Sequence, residues 1–177
     1  MARTAFGTEN VAIADVKTLR FPLVTGIFLG IGIAGFIDET VFHQLLQWHN
    51  FYWGTDEHGR ILSDFIFHVG SMLMLLWGAA RMWHDRTTYH PLRSKVILAG
   101  IPIGAGGFNA YDGVVQHLIF HFHLVDEFAC SQPMNGSNSI ATCPQDIPYE
   151  IVWIGIGAAV AALGIMVWRR AVREARL

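Results

Sequence analysis

Four apolar runs divide the chain: Phe21–Trp48, Leu62–Trp83, Val96–Phe122 and Ile151–Trp168. Each is long enough to cross a hydrocarbon core that needs roughly 20 helical residues. The pattern predicts an all-α protein, a four-transmembrane-helix bundle forming one integral membrane domain over residues 1–177. Polar positions interrupt these runs unevenly. Asp38, Glu39, His43 and His49 crowd the end of the first, and Asp64 and His68 open the second. Asn109, Asp112, His117, His121 and His123 crowd the end of the third, whereas the fourth has only Glu150 at its edge. Ionisable side chains inside a bilayer are costly and rarely sit there without a partner or a task.

The polar positions repeat. Asp38, His43 and His49 recur as Asp112, His117 and His123 at a constant offset of 74 residues. An offset of two spans implies two helix pairs inserted in the same direction, related by an axis along the membrane normal. The second pair has no counterpart of Asp64 and His68 unless Glu150 substitutes.

Charge sets the expected orientation. Lys17 and Arg20 precede the first run, Arg81, Arg86, Arg93 and Lys95 lie between the second and third, and Arg169, Arg170, Arg173 and Arg176 follow the fourth. The other two loops hold only Arg60, so the positive-inside rule puts both termini in the cytoplasm and the polar ends of the spans outside. In a bacterial inner membrane that outer side is periplasmic. Cys130 and Cys143 fall in the second outward loop, where an oxidising compartment favours a disulfide. Residues 1–20 read as a cytoplasmic lead-in rather than a signal peptide, because the apolar run that follows is too long. Asn135-Gly136-Ser137 matches a glycosylation acceptor, and His84 and His90 read as solvated. Charged residues make up 15% of the chain, below the ~25% of soluble domains, and a net charge of −2 gives no footing for nucleic acid.

The chemistry lies in the histidines. Glu39 and His43, Asp64 and His68, and His117 and His121 are each four apart, so each pair shares a helix face and can offer two ligands to one ion. At 1.5 Å per residue, His43, His68 and His117 lie roughly 7–9 Å in from the outer helix ends. Helix face and depth together select His43, His68, His117 and His121 as metal ligands, His121 being the shallower, with Asp64 or Glu39 supplying oxygen. Asp38, Asp112, Asn109, His49 and His123 are left to orient those ligands or to form a second site. Asp112 and His123 would be roughly 16 Å apart in an unbroken helix, too far to share an ion. Imidazole-rich sites suit copper, with iron or zinc as alternatives; haem needs fewer carboxylates than this cluster carries.

On the stretches GFIDETVFHQLLQWH, SDFIFH and NAYDGVVQHLIFHFH, the chain resembles a domain-of-unknown-function family of bacterial four-helix predicted membrane proteins. That resemblance implies copper traffic or oxygen chemistry, since members are often encoded near copper-delivery proteins for haem–copper oxidases. Two functions are expected from these observations together. One is a metal-dependent redox enzyme acting on a small oxygen-derived substrate at the periplasmic face, superoxide first, with a membrane oxygenase as a weaker version. The other is a copper-binding assembly factor for a respiratory oxidase. The 124–147 loop would be a lid or a partner surface.

Overall fold

The computed structural model describes residues 18–87, 92–130 and 141–175. Lys17, His90, Asn135-Gly136-Ser137 and Arg176 lie outside them. Four long helices dominate. Helix α1, Arg20–Asp38, runs on into a π-helical segment, Glu39–Leu45. Helix α2 is Glu57–His84, and α3, Arg93–Tyr111, runs on into a second π-helical segment, Asp112–Ile119. Helix α4 is Ile147–Glu174, entered through the short 3-10 turn Pro144–Asp146.

Helices α1 and α3 form the middle of the molecule, with α2 against α1 and α4 against α3. The arrangement is a row of four rather than the ring implied by a bundle. Glycines set the central crossing. A Cβ built on Gly30 would lie 2.0 Å from the Ile101 carbonyl oxygen, and one on Gly104 would lie 2.0 Å from the Ile27 oxygen. One turn earlier, Gly26 faces the Ile97 oxygen at 2.2 Å and Gly100 faces the Leu23 oxygen at 2.5 Å. Each pair maps onto the other by the same 74-residue offset. Without a hydrophobic drive between helices in lipid, such close backbone approach supplies the packing energy.

Three stretches are long and apolar enough to cross a membrane: Arg20–Leu45, Glu57–Thr87 and Pro144–Glu174. The sequence pattern predicts a fourth in the third run, but α3 does not join this set. Pro102, its glycines and Asn109 dilute its hydropathy, and it lies between α1 and α4, burying Val96, Ala99, Gly100, Gly104 and Gly106. An inner helix does not need a lipid-facing coat.

Both central helices end early, at Leu45 and Ile119, where the apolar runs suggested Trp48 and Phe122. The termination is the same in each. Leu46 N–H donates to the Val41 oxygen (2.8 Å) and Phe120 N–H to the Val115 oxygen (2.9 Å), the five-residue step of a π turn. Gln47 and His121 then take positive φ, 53° and 54°, which turns the chain back over the helix end. A non-glycine residue in that region is strained and persists only where its surroundings hold it. The outer segments also exchange backbone bonds: Trp53 N–H donates to the Phe122 oxygen and Glu127 N–H to the Trp48 oxygen, both at 3.0 Å. Cys130 and Cys143 form the expected disulfide, joining the turn Glu127–Ala129 to the start of α4.

Gly104→Val should lower the unfolding temperature of the detergent-solubilised protein sharply or abolish folding, since overpacking costs about 1–3 kcal/mol or more. Gly107→Ala, with nothing within 4 Å of its Cβ position, should leave thermal unfolding followed by circular dichroism unchanged.

Candidate metal centre

The two broken helix ends bring four imidazoles into one buried cluster: His43, His49, His117 and His123. His49 and His123 lie just beyond the chain reversals at Gln47 and His121, so they fold back toward the helices that precede them. Ring centroids are 4.5 Å apart for His43–His49 and for His117–His123, and 4.6 Å for His49–His123.

Hydrogen bonding fixes which nitrogen faces inward. The Nδ1–H of His49 donates to the Val125 carbonyl oxygen (2.7 Å), and that of His123 donates to the Phe51 oxygen (2.8 Å). A carbonyl only accepts, so each Nδ1 carries the proton and each Nε2 keeps its lone pair. His43 Nδ1 faces Asp64 Oδ1 at 3.0 Å, and His117 Nδ1 faces the Glu150 carboxylate at 2.9 Å. All four Nδ1 positions are thereby engaged. The Nε2 atoms point into the cluster, beside Asp38 and Asp112. Asp38 lies 3.7 Å from His43 Nε2 and 3.9 Å from His49 Nε2; Asp112 lies 3.0 Å from His117 Nε2 and 3.8 Å from His123 Nε2. His117 Nε2 and His123 Nε2 are 2.9 Å apart. Two lone pairs at that distance repel unless a proton or a cation lies between them.

Charge points the same way. Asp38, Glu39, Asp112 and Glu150 are buried and Asp64 largely so, yet among the described residues their ion-pair partners are all histidines. Removing a carboxylate from water costs several kcal/mol unless it is well paired. Burial, then the neighbouring His43 and His117, holds the His49 imidazole well below the ordinary histidine range. Burial, then His117, does the same for His123. Neutral imidazoles are the form that binds metal. Three overlapping groups offer one ligand atom per residue within 4.8 Å: His43, His49 and His123; Asp112, His117 and His123; Glu39, His43 and Asp64. Asp38 Oδ1, His43 Nε2 and His49 Nε2 have no hydrogen-bond partner.

The two halves are similar but not identical. Asp64 accepts from Phe51 N–H and Glu150 accepts from Val125 N–H, residues again 74 apart. Glu150 thus takes in the second half the place of Asp64 in the first. Three residues further along each helix, Phe67 meets the His43 ring while Trp153 donates its indole N–H to Asp112 Oδ2 (3.2 Å). Asp38 receives no such donor.

Two spaces reach the cluster. A polar vestibule of about 300 Å³, lined by His43, His49, Asn50, Trp53, Glu57 and Arg60, lies at the loop side. A largely apolar cavity of about 320 Å³ lies within the helix row and ends at Asp38.

The structure brings together His43, His117, Glu39, Asp64, Asp38, Asp112, His49 and His123. Among the described residues, His68 and His121 belong to none of the convergent ligand groups. His68 packs against Phe36 (ring centroids 5.6 Å apart), with Nδ1 unpaired. His121 is exposed and bonds the His117 carbonyl oxygen of its own helix end. Asn109 lines the apolar cavity. The 16 Å separation of Asp112 and His123 presumed an unbroken helix; the chain reversal shortens it to 3.8 Å between Oδ1 and Nε2. Helix α2 begins at Glu57 and is capped by Asp56, which accepts from Gly59 N–H, so Asp64 lies two turns inside and is free to hold His43. The roles of Trp153 and of the Phe51 and Val125 carbonyls carry no sequence signal, since any residue supplies a carbonyl.

The fold is that of an all-helical membrane protein with histidines and carboxylates gathered at one end of its helix row. The chain belongs to the family described as Predicted membrane protein (DUF2243), whose model matches residues 25–171. No curated protein matches the chain, and no solved structure does.

If the Nδ1 acceptors orient metal ligands, Asp64→Asn and Glu150→Gln should each weaken metal binding roughly 10–100-fold. His68→Ala and His121→Ala should leave it within about twofold of wild type, an error-level change against those losses. Competition titration against a chromophoric chelator measures both.

Proposed function

We propose that this is a membrane-embedded transition-metal redox enzyme whose cluster holds one or two ions, copper first and iron second. The observation that carries the reading is the inward convergence of four imidazole Nε2 atoms whose Nδ1 positions are all taken by acceptors. His43, His49, His117 and His123 would be the nitrogen ligands, with Asp38 and Asp112 supplying oxygen. Asp64 and Glu150 would hold imidazoles in register, a recurrent role for carboxylates behind metal-bound histidine. Ring centroids near 4.5 Å leave no slab for a planar macrocycle, which weighs against haem.

A bound copper or iron ion would supply one-electron cycling. Superoxide is the substrate favoured by the site's position: one superoxide gives up its electron and leaves as dioxygen, and a second takes that electron and two protons to leave as hydrogen peroxide. Arg60, stacked 4.3 Å over the Trp53 ring, lines the vestibule through which a small anion would approach. The buried carboxylates repel such an anion in the metal-free protein, so attraction depends on the ion they hold.

Orientation completes the reading. Helix α3 would cross the bilayer with the other three, as one member of two parallel helix pairs. Arg81, Arg86, Arg93 and Lys95 at one end, against Arg60 at the other, support an orientation with the termini in the cytoplasm and the cluster toward the periplasm of a bacterial inner membrane. A copper-delivery role fits less well. Delivery sites favour soft thiolates, and the two cysteines are joined to each other.

Purified protein should remove superoxide in a metal-dependent way, with activity lost on chelation and regained on adding copper or iron back. His117→Ala should abolish the activity while the protein stays folded. Equal turnover in that variant would sink the proposal.

A further inference from the structure

The apolar cavity is not needed by a small anion that enters from water. Ile33, Ala34, Ile37, Ala105, Ile156, Gly157 and Val160 account for most of its wall, with Phe42 and Trp153 as aromatic surfaces packed edge-to-face at 5.0 Å. Its rim residues Ile33, Ile37 and Ile156 are 36%, 50% and 55% exposed, so it opens on the apolar outer surface of the helix row. Two polar groups stand inside it, Asn109 and Asp38. The Asn109 amide makes no hydrogen bond among the described residues, and Asp38, only 2% exposed, has an unpaired Oδ1. An unpaired amide at membrane depth is expensive, and water does not reach it from lipid.

We infer that this cavity binds a lipid-soluble quinone or quinol, ring inward and tail trailing between α1 and α4. The chemistry on the wall selects that class. An acyl chain would fill the apolar part but leave the Asn109 amide unpaired. A ring carrying carbonyl or hydroxyl groups accepts from the Asn109 N–H and, as the quinol, donates to the Asp38 carboxylate at the cavity's end. The aromatic faces of Phe42 and Trp153 suit a flat ring. A volume of about 320 Å³ suits a single substituted ring, near the lower end of the ~300–1,000 Å³ range of small-molecule pockets. The ring would lie one carboxylate away from His43, since Asp38 Oδ2 is 3.7 Å from His43 Nε2. That closeness gains redox meaning only if the metal reading above holds, whereas binding itself does not depend on it.

The test uses the full chain in lipid nanodiscs with a short-tailed azido-benzoquinone as photoreactive probe, competed with unlabelled benzoquinol analogue. Saturable labelling should map to the peptides around Ile33–Asp38 or Trp153–Val160. Asn109→Leu should weaken it roughly tenfold, the scale of one hydrogen bond lost together with a buried polar contact. Ala34→Phe, which fills the cavity, should abolish it. The result should be the same in chelator-stripped and metal-loaded protein, so a failure of the metal centre leaves this outcome readable. Labelling that does not saturate would overturn the inference. So would labelling blocked by Ala34→Phe yet unchanged by Asn109→Leu, which would mark a slot for an acyl chain. If Ala34→Phe does not fold, Asn109→Leu alone decides.

Discussion

The structure depends on one constraint: a set of carboxylates and imidazoles is buried at one end of the helix row without a lysine or arginine among its ion-pair partners in the described residues. Each buried carboxylate costs several kcal/mol unless its charge is met. Among the described residues the ion-pair partners of Asp38, Glu39, Asp64, Asp112 and Glu150 are all imidazoles, and two of those imidazoles are held neutral by burial and by their neighbours. Imidazoles that have already given their Nδ1 protons to carbonyls or carboxylates have only lone pairs to turn inward. A cation at the centre satisfies both sets of groups together; without one, that charge falls to protons on His43 and His117, and burial together with their positive charge depresses His49 and His123.

The backbone is bent to serve that cluster. An ordinary α-helix keeps Asp112 and His123 far apart, as it does Asp38 and His49. Each central helix instead widens into π turns, breaks at a strained positive-φ residue, and returns a histidine toward its own aspartate. The strain at Gln47 and His121 is held by cross-bonds between the outer segments, in which each half's returning histidine docks on a carbonyl of the other half. That mutual docking requires α1 and α3 to sit close together, which their paired glycines permit. Helix contact near Gly30 and Gly104 and ligand geometry near His49 and His123 are therefore parts of one device. Asymmetry enters at a few positions. Glu39 has Gly113 as its counterpart, and the indole donor of Trp153 is matched by Phe67. These differences leave Asp38 as the open side of the cluster, facing the apolar cavity.

Much of this was legible in the residues. The 74-residue echo of Asp38, His43 and His49 named the residues that converge, and hydropathy gave the helices to within a few positions. The disulfide was also legible, because the chain's two cysteines share one loop. Helix arithmetic, by contrast, presumed straight helices. It promoted His68 and His121, which share faces with Asp64 and His117, and demoted His49 and His123, which lie past the helix ends. No single-residue preference marks Gln47 or His121 for a left-handed backbone, so the reversals were hidden. The third run is less apolar than the other three, because its glycines, Pro102 and Asn109 belong to an inner helix packed on two sides. Glu150 was visible as a substitute for Asp64 only conditionally, because its distance along the chain does not keep the repeat.

The most direct test of the central claim is X-ray absorption at the metal edge of protein purified in mild detergent and dialysed against metal-free buffer. The account predicts a retained copper or iron ion with nitrogen and oxygen neighbours at roughly 2.0–2.1 Å and the multiple-scattering signature of several imidazoles. That signature should fall in His49→Ala and His123→Ala and persist in His68→Ala and His121→Ala. Folded protein that retains no ion, or an ion whose imidazole signal is lost with His68 or His121 instead, would contradict it.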